Sequence, residues 1–237
     1  MEPLYTVVII LELAAVFVGL VSENMFSSLL SPYEQKKLQS GLNAVQIARE
    51  LLNNHNCSDV NIELSESKFS ALYDDANRVL KINSSVYGSG SITSVSLVTL
   101  ECCHAIRGRS STFWGRLHPV MRWFARFSHW IYLPVLFAAF VTESIAVLIA
   151  GTAVFLTTAF LVVVSLPGEF AAARRTMIVL QDGGYVTEKE LAGVKEVLSV
   201  AKYTYVMHAT SFLFLMLTFW LKAYIRTEIK SAKRRRK

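Results

Sequence analysis

Apolar residues gather in long, nearly uncharged runs along this chain, separated by stretches of mixed polarity. Leu4 to Val21 is interrupted only by Tyr5, Thr6 and Glu12. As a helix rising about 1.5 Å per residue, that run is roughly one bilayer long. Phe127 to Leu166 carries a single charge, Glu143. At about 20 residues per crossing it is long enough for two passes. Its most polar cluster, Thr142-Glu143-Ser144, marks a helical hairpin turn, and Tyr203 to Leu221 supplies a fourth span. The pattern predicts membrane helices over 1–22, twice within 123–167, and over 203–222. Four crossings put 23–122 and 168–202 on one side of the membrane, and the N-terminus, the turn and the tail 223–237 on the other.

Between the spans the period of the pattern changes. Within Gly41 to Leu52, apolar residues at 44, 45, 48, 51 and 52 follow helical spacing, and Asn53-Asn54-His55-Asn56 breaks it. Val60 to Leu64 and Arg78 to Ile82 alternate as strands do. Tyr73-Asp74-Asp75-Ala76-Asn77 reads as a turn between them, and Ser91 to Arg107 as a helix entered from the loop Gly88-Ser89-Gly90. A small α+β domain outside the membrane is therefore expected.

Composition agrees: 53% of the 237 residues are hydrophobic, more than a soluble domain ordinarily carries. The net charge of +6 is uneven, because the last 16 residues, Lys222 to Lys237, hold eight Lys/Arg. Beside a membrane span, such a run reads as a contact for anionic lipid headgroups rather than a nucleic-acid patch. Membrane lipids are an expected partner and nucleic acid is not. The tail argues for a cytoplasmic face there. Arg107, Arg109, Arg116, Arg122, Arg126, Arg174 and Arg175 crowd the opposite side and argue the reverse. Trp114, Trp123 and Trp130 among those arginines suit a helix at headgroup level. The first run lacks a basic leader and a small-residue cleavage site, so it is expected to stay as an anchor. Cys57, Cys102 and Cys103 suggest no disulfide framework. Glu12 is costly in lipid and is expected to face the bundle or a partner.

The chemistry sits in Leu100-Glu101-Cys102-Cys103-His104. In the His-Glu-x-x-His helix of zinc peptidases, two histidines four apart grip the metal and the glutamate activates its water. Here the glutamate and the second histidine stand, and a leucine occupies the first ligand position. Leu166-Pro167-Gly168-Glu169-Phe170-Ala171-Ala172 follows downstream, and Lys195 to Ser199 leads into Tyr203-Thr204-Tyr205-Val206. With Tyr73-Asp74, Val86-Tyr87 and Val45 to Arg49, this order resembles the YugP-type neutral zinc metallopeptidases, small integral-membrane proteins of gluzincin character. The resemblance covers about residues 40 to 222. It implies a zincin-like extramembrane domain over 23–122, and a helical segment over 168–202 carrying Glu169. His104 and Glu169 would be zinc ligands, Glu101 the general base, and Leu100 the lost ligand.

A helix turns about 100° per residue, so Cys102 and Cys103 are badly placed to share a metal with His104. Glu101 and His104 at i and i+3 have a spacing used by metal sites in helical bundles, but a Glu101 that binds metal is no longer free as base. Structural roles compete with each of these: a packed polar His104, a Glu101 paired with Arg174 or Arg175, an interfacial Glu169. Tyr205 and His208 lie within reach of the site in sequence only. The expectation is a multi-pass protein of a bacterial plasma membrane or an organellar membrane. It is read as catalytically inactive, without zinc, and as an accessory or assembly subunit of a membrane complex. The alternative is an active zinc metalloprotease with an altered site.

Overall fold

The computed structural model describes residues 2–66, 70–109 and 145–235, with positions 120, 134, 137, 138, 141 and 142 between them. Trp114, Arg116, Arg122, Trp123, Arg126, Trp130, Glu143 and Ser144 lie outside the described residues, as do the side chains of Tyr205 and His208. The chain is mostly helical with one small sheet. It forms two compact units: Met1–Glu23, Val120–Leu166 and Tyr205–Lys237 in one, Asn24–Pro119 and Pro167–Thr204 in the other.

The first unit is apolar outward. Helix α1 (Glu2–Glu34) exposes Val7, Ile9, Ile10, Leu13, Val16, Phe17 and Leu20 while burying Val8 and Ala15. Helix α5 (Ile145–Asp182) exposes Ile149, Leu156, Phe160 and Val163 in the same unit. Large apolar side chains facing outward over whole helices fit a lipid surround. Among the described residues, two helical stretches are long and apolar enough to cross a bilayer, Thr6–Glu34 and Ala146–Asp182. The expected hairpin falls largely outside the described residues, so four passes stay an expectation. Helix α6 (Glu188–Arg235) runs unbroken through the expected fourth span and into the basic tail. Inside the unit, Ser211 Oγ donates to the Ala15 carbonyl at 2.9 Å, and Trp220 Nε1 donates to Thr152 Oγ1 at 2.7 Å. Pairing polar groups with each other removes the cost of leaving them to hydrocarbon.

The second unit has a conventional core. Helix α2 (Ala44–Asn54) starts on a capping box in which the Asn43 and Gln46 side chains each accept from the other's backbone N–H at 2.9 Å. It buries Ala44, Ile47, Ala48, Leu51 and Leu52 and stops where Asn56 takes φ 56°, a left-handed turn that asparagine tolerates. Strands β1 (Asn61–Ser65), β2 (Ala71–Asp74) and β3 (Val79–Asn83) form a sheet of order β1-β3-β2, with β1 parallel and β2 antiparallel to β3. Tyr73 and Asp74, expected in a turn, instead end strand β2. The turn follows them, closed by Asp74 Oδ1 accepting from Ala76 and Asn77 N. Alternation missed β2 because its side chains are buried or half-buried throughout, leaving no polar face to alternate.

A short helix α3 (Ser84–Tyr87) leads to α4 (Ile92–Gly108), capped by Ser91 Oγ accepting from Ser94 N at 3.1 Å. Gly90 is required between them: a Cβ there would stand 2.8 Å from the Leu42 carbonyl oxygen. Helix α4 is buried along most of its length, in one core cluster with Leu30 of α1, Ile47 and Leu51 of α2, Leu80 and Ile82 of β3, Leu180 of α5, and Leu198 of α6.

Candidate functional site

Helix α4 carries the motif and the start of the α5 segment in the same unit carries Glu169. The two meet. His104 Nε2 stands 3.2 Å from Glu169 Oε2, the imidazole side chain 1% exposed and the carboxylate 13%. Residues 65 positions apart in sequence thus stand side by side, His104 buried and Glu169 partly so.

Arg107, one turn beyond His104, joins them. Its Nη1 donates to the Gly168 carbonyl at 2.7 Å. Burial pulls the Arg107 guanidinium below its ordinary value, and the neighbouring Glu169 carboxylate partly restores it. Glu169 thus has the His104 imidazole 3.2 Å away and the Arg107 guanidinium as a neighbouring positive charge. The sequence reading missed Arg107, although its i+3 spacing from His104 puts both on one helix face.

The other motif positions turn elsewhere. Leu100 packs against the core cluster, where its apolar side chain is at home. Glu101 Oε2 accepts a hydrogen bond from Tyr73 N at 2.9 Å. Tyr73 lies on β2, which has β3 on one side only, so the would-be general base caps an outward-facing N–H of an edge strand. Cys102 and Cys103 are buried free thiols. Desolvation pushes Cys102 well above the ordinary thiol range; it also raises Cys103, against a lowering hydrogen bond with Thr176. On a helix they stand about 200° and 100° round from His104, which places neither where the missing histidine would be.

Does this set fit a zinc ion? Two donors sharing a tetrahedral zinc stand about 3.3 Å apart, given bonds of about 2.0 to 2.1 Å, so the separation of His104 and Glu169 suits one. A catalytic zinc needs three protein ligands. Among the described residues no group of three His, Cys, Asp or Glu side chains is arranged to hold a metal. That includes the Glu101–His104–Glu169 combination, because Glu101 points to Tyr73. The donor set is two-thirds of a zincin site.

A family model described as "Putative neutral zinc metallopeptidase" matches residues 7–224. A curated relative, "Putative membrane protease YugP" of Bacillus subtilis (strain 168), is 26% identical over 215 residues, which is 89% of this chain and 94% of the relative. No solved structure matches.

Proposed function

This chain belongs to the family described as "Putative neutral zinc metallopeptidase", and on that premise we propose that it is a catalytically silent member, a zincin-like scaffold acting as a structural or assembly subunit of a membrane complex. The observation that carries this reading is Leu100 in the core cluster where a ligand belongs. Glu101 adds to it: a carboxylate held by Tyr73 N is occupied by structure rather than poised over a metal-bound water. What the site retains, a His104–Glu169–Arg107 staple between α4 and α5, serves to hold two helices together. Four passes and a role among other subunits belong to the same proposal.

Zinc content tests it. Full-length protein purified with zinc in the buffer should carry well under one zinc per chain by elemental analysis, and should not cleave unfolded casein. Mild-detergent extraction should bring it out with a larger assembly. One tightly held zinc per chain, lost in His104→Ala, would sink the reading. The 3.2 Å separation of His104 and Glu169 supports one alternative: an active membrane zinc metalloprotease with an altered metal site. That enzyme would lose both zinc and peptidase activity in Glu169→Gln.

A further inference from the structure

We draw no further inference here: the strongest candidate, the outer edge of strand β1 with its exposed Leu64, carries nothing, because nothing in the structure shows what covers it.

Discussion

At the scale of single residues, one substitution reorganises the chemistry around it. A histidine at position 100 would put a second imidazole one helical turn before His104, facing the carboxylate already 3.2 Å from it. Leu100→His is therefore expected to gain one zinc per chain, measured by elemental analysis and by competition with a zinc-chelating dye. No gain would show that the site has decayed beyond its lost ligand. Glu101 separates structure from catalysis in a second way. Glu101→Gln keeps an acceptor for Tyr73 N and should unfold within about 0.5 kcal/mol of the parent, whereas Glu101→Ala leaves that N–H without its present partner and should cost about 1 to 2 kcal/mol. Denaturation in detergent micelles reads both. Were Glu101 a working base, Gln and Ala would abolish peptidase activity alike.

At the scale of elements, caps and loop closures hold the extramembrane unit in register. Glu190, at the start of α6, accepts from Thr187 N and Oγ1 at 2.8 Å and from Gln39 N at 2.7 Å. Burial pushes its carboxyl up, but these hydrogen bonds outweigh it and the net shift is downward from 4.5. A carboxylate depressed in the folded state stabilises above its unfolded value, and that stability is lost as the pH falls from about 4.5 through the folded value. Thermal midpoints recorded from pH 7 to pH 3.5 should fall steeply at the acid end for the parent and less so for Glu190→Gln. Asn43→Ala removes the side-chain half of the α2 capping box and should cost about 1 kcal/mol. Gly90→Ala must displace the Leu42 carbonyl and should cost about 1 to 3 kcal/mol; calorimetry compares the two.

At the scale of the whole molecule, the number of crossings sets which face each end of the chain meets. Four passes require an even number of crossings between the two ends of this chain, so tags on Met1 and Lys237 should meet protease on the same face of sealed vesicles. Opposite faces would mean an odd number and would reassign the segment between 127 and 144. The exposed apolar rows of α1 and α5 predict that the protein stays in the membrane pellet after carbonate extraction.

The sequence by itself carried what is periodic or local. The Leu4–Val21 run, the α2 face, the Asn53–Asn56 break and the α4 motif helix are each written in spacings of one to four residues, and short-range spacing is what backbone hydrogen bonding imposes. It also carried the lost ligand, since an apolar Leu100 cannot bind metal in any fold. Thr187-Glu188-Lys189-Glu190 was a legible capping box that helical periodicity passed over. Tertiary structure decided everything that depends on residues far apart in the chain. It brought His104 to Glu169, set Arg107 on the Gly168 carbonyl, and turned Glu101 to a strand that alternation did not reveal. It also paired Glu12 with Lys222 across 210 positions. No local spacing encodes such meetings. They arise when buried faces from separate elements share one core, or one stretch of hydrocarbon, and the polar groups among them must find one another.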